Sequence, residues 1–412
     1  MNIKGKSIVL GVTGGIAAYK AATLCSHLVK GGAEVDVILT DAAREFVAPL
    51  TFQALTHRPV ITEMFSLLAE TEIGHVSLAR RADLLIIAPA TANTIAKLAA
   101  GLADNMLTTT ALATEAPILL APAMESHMWS NPLTQENVTR LLDLRDATVV
   151  GPGEGRLASG ASGMGRMAEP EELLEAARWV LGRQGTLAGR RVVVTAGGTR
   201  EPLDPIRFLG NRSSGQMGYA LARAARDLGA QVTLVSTVSQ HAPFGALLVP
   251  VETATQMRDA ILETMDSSDV LLMAAAVADE RPVSAAAQKL KKGEGNLRLD
   301  LARTPDILAE VARVRRADQV IVGFAAETEN LVENAQDKLK RKRLDLIVAN
   351  DARQAMGAPT NQVTLIGSDG SIEAMPLVSK DRAAERILQR VVILLGGDEP
   401  CLLYTSPSPR DL

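Results

Sequence analysis

Residues 191–218 read RVVVTAGGTREPLDPIRFLGNRSSGQMG. Val192 to Thr195 are β-formers that run into Ala196-Gly197-Gly198-Thr199, and Asn211 to Gly215 is a second small-polar cluster that opens the alanine-rich helical stretch Tyr219 to Leu228. The order is strand, long loop, helix N-terminus. Glycines let a ligand approach the backbone, and a helix start offers unpaired N–H groups to an anion. A Gly-Gly-Thr turn alone suits an ordinary strand-to-helix connection. The loop exceeds one, with about fifteen residues that include two prolines, arginines, an acid pair and Asn-Arg-Ser-Ser-Gly, and long ordered loops carry function.

The same grammar opens the chain. Ser7 to Val12 is an apolar strand, Thr13-Gly14-Gly15 a turn, Ile16 to Lys30 a helix whose Ile16, Tyr19, Leu24 and Leu28 suit burial, and Val35 to Thr40 a second strand. GGAEVDVILT and LGAQVTLVST fall at equivalent places after the two turns. The expected fold is therefore α/β: two doubly wound Rossmann-like or flavodoxin-like domains with mainly parallel sheets, whose ligands sit beyond the carboxyl ends of the strands. Residues 1–184 form the first domain and 185–398 the second, joined by a short linker over Gly182 to Gly189. Cys401 to Leu412 resembles a translated sequencing-adapter artefact more than protein, and 399–412 is expected to be a non-native or disordered tail.

Composition narrows the function classes. The 412 residues are 47% hydrophobic and 22% charged, as in soluble globular proteins. A net charge of -4 gives no general case for nucleic acid, and 3% aromatic residues leave few platforms for stacking bases. Cys25 and Cys401 are too few for a disulfide framework or a thiolate metal site, and Met1 to Lys6 leads into a strand without a signal sequence. No apolar run approaches the ~20 residues that span a bilayer. A DNA or RNA role is disfavoured, and a cytoplasmic protein is expected.

Several residues at the predicted strand ends have useful chemistry. Thr13, Thr40, Thr91 and Asn93 can donate to phosphate or to flavin oxygens without bringing charge, and any one of them can equally cap a helix. Gly14-Gly15 before a helix suits a phosphate but is neither GxGxxG nor a P-loop. In the second half, Asp279 ends the stretch that follows Val270 to Met273; an acid there can hold a sugar hydroxyl, a base amine or a metal, or merely cap a turn. Lys289 belongs to a short basic run whose plain reading is a solvated face. Thr304-Pro305-Asp306-Ile307-Leu308 starts a helix, Phe324 ends the strand Val320 to Phe324 with an apolar ring for a base or for the core, and Lys338 and Lys342 share a helix face that can clamp phosphates.

The stretch AGGTREPLDPIRFLGNRSSGQMG closely resembles the signature of phosphopantothenate–cysteine ligases, the second half of the bifunctional flavoproteins that make 4'-phosphopantetheine for coenzyme A. In the first half GVTGGIAAYKA, LTDAAREFV, HVSLAR, APATANTIAKLAAGLADN and APAMESHMW occur in the order of the flavin-containing cysteine decarboxylases. This resemblance implies FMN about Gly14, Gly15, Thr40, Thr91 and Asn93, with His75, read as a loop histidine, as the catalytic histidine. It implies CTP, with Mg2+ on its triphosphate, at Ala274, Ala275, Asp279, Pro305, Asp306, Ile307, Leu308, Phe324, Lys338 and Lys342, with Asp279 the candidate metal ligand. Lys289 matches the lysine that promotes acyl-nucleotide formation, and Asn211 the residue that serves turnover of the acyl-cytidylate. Homo-oligomers are implied for both halves, trimeric for the decarboxylase and dimeric for the ligase.

Two positions depart from the pattern. Glu125 stands where the family has asparagine, and Ser159 where the flap has a cysteine that acts on the enethiol. An ionised Glu125 would repel a substrate carboxylate, and a hydroxyl is a far weaker acid than a thiol. The expectation is that His75 still supports oxidative decarboxylation, with Ser159 or another group serving the later proton step. The departures leave room for a ligase joined to an inactive flavin domain, whereas the complete ligase set argues against a non-enzymatic regulatory flavoprotein.

Overall fold

The computed structural model describes residues 3–64, 74–291, 297–327, 329–351 and 360–397. The expected tail and Lys292 lie outside the described residues. The chain divides into two compact units, residues 1–182 and 183 onward.

In the first unit β1 (Ser7–Val12), β2 (Glu34–Leu39), β3 (Leu84–Ala90), β4 (Ile118–Pro122) and β5 (Ala147–Val149) form one parallel sheet in the order β2-β1-β3-β4-β5. The chain reverses direction between β1 and β3, and at such a switch point a crevice opens beyond the strand ends. Burial on both faces explains why these strands read as unbroken apolar runs: Ile86 and Ile87 are both fully covered. A glycine-rich hairpin, β6 (Gly153–Arg156) and β7 (Ser162–Arg166), follows the sheet.

The first helix spans Ala18–Lys30 and begins later than its apolar pattern predicts. Leu24 and Leu28 are buried as expected, but Ile16 and Tyr19 are 62% and 59% exposed. Periodicity marks an apolar face without saying whether core or cavity lies against it.

The second unit is built on an eight-stranded sheet. Its strands are β8 (Arg191–Ala196), β11 (Gln231–Ser236), β12 (Leu247–Pro250), β13 (Val270–Met273), β16 (Val320–Glu327), β17 (Leu346–Asp351), β19 (Val363–Gly367) and β20 (Ile372–Ala374). Small two-stranded pairings outside it are β9 (Arg200–Pro202) with β10 (Phe208–Gly210) and β14 (Glu280–Pro282) with β15 (Leu301–Arg303), while β18 (Thr360–Asn361) pairs with Val378–Ser379. The order β12-β11-β8-β13-β16-β17 is parallel throughout, and β19 and β20 extend it antiparallel. Its switch point falls between β8 and β13.

Alternate residues of each strand feed two cores. Val192, Val194 and Leu272 pack with the helices Gln216–Asp227 and Lys380–Leu394, while Val193, Leu271 and Ile321 pack with Ala254–Met265, Ile307–Val314 and Leu331–Arg341. The expected linker is only partly one. Leu187 is buried in the core that holds Val192 and Val194 and donates its N–H to the Leu228 carbonyl at 2.8 Å.

Candidate active sites

At the switch point of the first unit lies a cavity of about 970 Å³. The turn after β1, the turn after β2, the start of helix Ala92–Ala100, the loop after β4 and the β6–β7 hairpin close around it. They bring Gly14, Gly15, Thr40, Thr91, Asn93, Glu125 and Ser159 into one lining, with Ile16 and Tyr19 as its apolar wall. The two glycines differ. A Cβ on Gly14 would lie 2.4 Å from the Ala42 Cβ, so this glycine lets two of the protein's own turns pack, whereas one on Gly15 would meet nothing within 4 Å. That open space beside uncharged donors is a cradle into which a phosphate-bearing flavin fits.

Thr13 is buried and engaged, donating to the Pro89 carbonyl at 2.7 Å and accepting from the Thr91 N–H at 3.2 Å, so it holds β1 and β3 in register at the site. Thr91 accepts from the Thr94 N–H as a helix cap. Asn93 is exposed toward the cavity, and Thr40 is half-buried.

Glu125 takes over the local work of an asparagine, accepting the His127 N–H at 2.6 Å to cap helix Ser126–Ser130. Ser159 is exposed at the hairpin tip. The hairpin root is fixed, since the Met124 N–H donates to the Gly165 carbonyl at 3.0 Å. Lys20, which the sequence reading passed over, also lines the cavity. It is buried and donates to the Met167 carbonyl and to Glu169, both at 2.9 Å, joining the first helix to the end of the hairpin. The Lys20 hydrogen bond holds the Glu169 carboxyl below its usual range, with Arg166 adding to it. A lysine amid the alanines of an otherwise apolar helix face was the available signal. Cys25 cannot replace a flap thiol, for it is buried in the core and burial pushes its thiol up to about 12.

His75 is not in a loop. It is the second residue of helix Gly74–Arg81, half-buried, and it is not among the residues that line this cavity. Leu78 and Ala79 anchor that helix in the core, and Arg81 pairs with the buried Asp36 of β2 at 2.5 Å.

In the second unit the turns after β8 and β13 meet, with Gly198 bridged to Ala276. The glycines of the opening stretch are approached by protein: a Cβ on Gly197 would lie 2.2 Å from the Thr237 Oγ1, and one on Gly198 would lie 2.5 Å from the Asn211 carbonyl oxygen. Both thus fit loops together at the strand ends. Threonines strap the loop that carries Ala274, Ala275 and Asp279. Thr195 Oγ1 accepts from the Ala275 N–H, Thr199 Oγ1 accepts from the Ala278 N–H, and Thr304 Oγ1 donates to the Ala278 carbonyl. Asn211 is exposed, and its amide donates to the Val277 carbonyl at 3.0 Å.

Asp279 is exposed and acts electrostatically on Lys338, whose Nζ donates to the Phe324 carbonyl at 2.8 Å. Burial lowers the Lys338 ammonium below its ordinary value, and Glu327 and Asp279 oppose that shift. Asp306 caps helix Ile307–Val314 and pairs with Lys342. Burial raises the Asp306 carboxyl, but Lys342 and the Ala309 N–H outweigh it, so its net shift is downward. Pro305 precedes that cap, while Ile307 and Leu308 turn inward to the core.

Phe324 is not at a strand end, because β16 continues to Glu327; it is half-buried against the core. Lys289 is exposed on a segment attached to Asp204 and Arg207, residues the sequence reading did not single out. Among the described residues no cluster of three or more His, Cys, Asp or Glu is arranged to hold a metal, and no helix is long and apolar enough to cross a membrane.

Comparison with known proteins agrees with both halves. The flavoprotein family profile matches residues 1–181, and that of the DNA/pantothenate metabolism flavoprotein C-terminal domain matches 187–394. The coenzyme A biosynthesis bifunctional protein CoaBC of Bacillus subtilis is 46% identical over 95% of this chain and 98% of its own length. Its namesakes in Vibrio cholerae and Mycobacterium bovis are each 44% identical, over 95% of this chain and 98% and 97% of their lengths. With two flavoprotein-type units in this order and full-length similarity, the chain belongs to the bifunctional phosphopantothenoylcysteine decarboxylase/phosphopantothenate–cysteine ligase family of coenzyme A biosynthesis.

Proposed function

We propose that residues 185–398 couple 4'-phosphopantothenate to cysteine at the expense of CTP, and that residues 1–184 decarboxylate the product. The observation that carries the ligase reading is the meeting of Asn211, the Ala274–Asp279 loop and Lys338 at the carboxyl ends of β8, β13 and β16. The pantothenate carboxylate attacks the α-phosphorus of CTP and pyrophosphate leaves. The cysteine amine then attacks the acyl carbon and CMP leaves. Lys338 and Lys342 offer cations to the phosphates, Lys289 neutralises the charge gathered as carboxylate and triphosphate meet, and the Asn211 amide orients the acyl group. Mg2+ enters on the triphosphate and needs no protein cage; Asp279 alone suffices as its protein ligand.

In the first unit the cavity, with Gly14, Gly15, Thr40, Thr91 and Asn93 in its lining, supports binding of FMN. When bound, FMN supplies the two-electron oxidation of the cysteinyl thiol that lets the adjacent carboxylate leave, and the electrons return to the product. His75 exchanges the proton, and the Ser159 hydroxyl or another group serves the later proton step. Because His75 lies outside the lining of its own chain's cavity, a site shared between copies accounts for it, which supports a homo-oligomer, trimeric through the flavin unit and dimeric through the ligase unit. The compartment proposed is the cytoplasm.

A second reading keeps the ligase and disables the decarboxylase. It is favoured by one observation: Ser159 is the flap residue, and the buried Cys25 cannot substitute. Mass spectrometry of the full chain with 4'-phosphopantothenate, cysteine, CTP and Mg2+ decides between them. Phosphopantetheine is the expected product; accumulation of phosphopantothenoylcysteine leaves the ligase alone, and absence of both sinks the proposal.

A further inference from the structure

The segment that carries Lys289 is attached to the loop of the opening stretch by a buried carboxylate. Asp204 follows β9, with a side chain that is 0% exposed. Its Oδ1 accepts the N–H groups of Ile206 and Arg207, both at 2.8 Å. That alone would make an ordinary aspartate turn. The second oxygen does more: Oδ2 accepts from Arg207 Nε at 2.9 Å and Nη2 at 2.6 Å, and also from the N–H of Leu290 at 3.1 Å. Arg207 Nη2 donates in turn to the Leu290 carbonyl at 2.9 Å. The backbone of Leu290 is thus held on both its N–H and its C=O by one acid–guanidinium pair from 83–86 residues earlier. A further strap, from the Ala286 N–H to the Leu203 carbonyl at 2.9 Å, holds the other side of Lys289.

A turn needs none of these distant bonds. What they accomplish is to fix the backbone on either side of Lys289 while its own side chain stays exposed. We propose that Asp204, through Arg207 and the Leu290 backbone, is a positioning residue for Lys289 in the step that forms the acyl-nucleotide. The inference rests on the ligase reading given above. The same loop carries Asn211 a few residues on, so both groups are placed by one stretch of chain. Removing the clamp leaves the lysine its charge and takes away its address, and loss of orientation lowers rate more than binding.

The test uses the full-length chain and follows steady-state pyrophosphate release from CTP and 4'-phosphopantothenate at saturating cysteine, which turns the acyl-nucleotide over. Asp204→Asn preserves shape but keeps one acceptor oxygen where the carboxylate has two, so it cannot serve both the turn N–H groups and the Arg207–Leu290 clamp. It is expected to lower kcat about tenfold to a hundredfold, leaving the KM for CTP within about twofold. The double variant Asp204→Asn/Lys289→Gln is expected to be no slower than Lys289→Gln alone, because a positioning residue has nothing left to position. Multiplying losses, or an unchanged kcat in Asp204→Asn, would overturn the proposal.

Should Asp204→Asn fail to fold, Arg207→Lys keeps the charge but cannot bridge Asp204 and Leu290, and the same non-additivity with Lys289→Gln decides. If the wild-type chain releases no pyrophosphate, the ligase reading falls and this proposal with it, a result visible before any substitution is made.

Discussion

Ser159 and Lys338 show how much single atoms decide. Ser159 presents a hydroxyl at the exposed tip of the hairpin, where the resembling decarboxylases present a thiol. A better-matched proton donor speeds a proton-transfer step by orders of magnitude, so Ser159→Cys is expected to raise phosphopantetheine formation about tenfold or more in the mass-spectrometric assay, leaving cysteine coupling unchanged. An equal yield from both chains would show that the flap residue is not the proton source. Lys338 carries the opposite burden, a charge that burial disfavours. Its folded value is below the ordinary 10.5, so the folded chain holds fewer protons than the unfolded one between the two values. Stability from this group therefore rises with pH across that window, and the penalty is complete below the folded value. Lys338→Met is expected to match or exceed the parent melting temperature at neutral pH while weakening CTP binding, as calorimetry can measure. A lower melting temperature together with unchanged CTP affinity would reverse the assignment.

At the scale of elements, the paired glycines after β1 separate packing from ligand binding. In Gly14→Ala the new methyl meets Ala42, and overpacking of this kind costs about 1–3 kcal/mol, so both melting temperature and flavin content should fall. In Gly15→Ala the methyl enters open space, so the flavin-free protein should melt where the parent does and lose flavin alone. Absorbance at flavin wavelengths and a thermal melt distinguish the two; identical behaviour would show that the cradle is misread. The strands that present these turns were legible in sequence because each is a short run of valine, isoleucine and leucine punctuated by glycine. The β6–β7 hairpin was legible only as a flap, since its glycines and small residues give no strand alternation. Ile16 and Tyr19 were read as core because a cavity wall and a core wall need the same side chains. The partner of Asp204 could not be read at all: a hydrogen bond between Asp204 and the Leu290 backbone leaves no periodic trace.

At the scale of the molecule, each unit contains its own switch point and its own core, and no ligase residue named here belongs to the flavin unit. Chain stripped of flavin is therefore expected to form phosphopantothenoylcysteine at the parent rate and to stop there, with flavin restoring the second product. A fall in the coupling rate on removing flavin would mean that the two chemistries are linked.

The eight-stranded sheet is bounded by β12, four residues ending at Pro250, and by β20, three residues beside a tight turn. An unpaired strand edge is a template on which another chain can crystallise as sheet, and edges this short, one closed by an imino acid, offer too few free amides to seed that growth. Growth of this sheet by edge-to-edge pairing is therefore disfavoured at both of its ends.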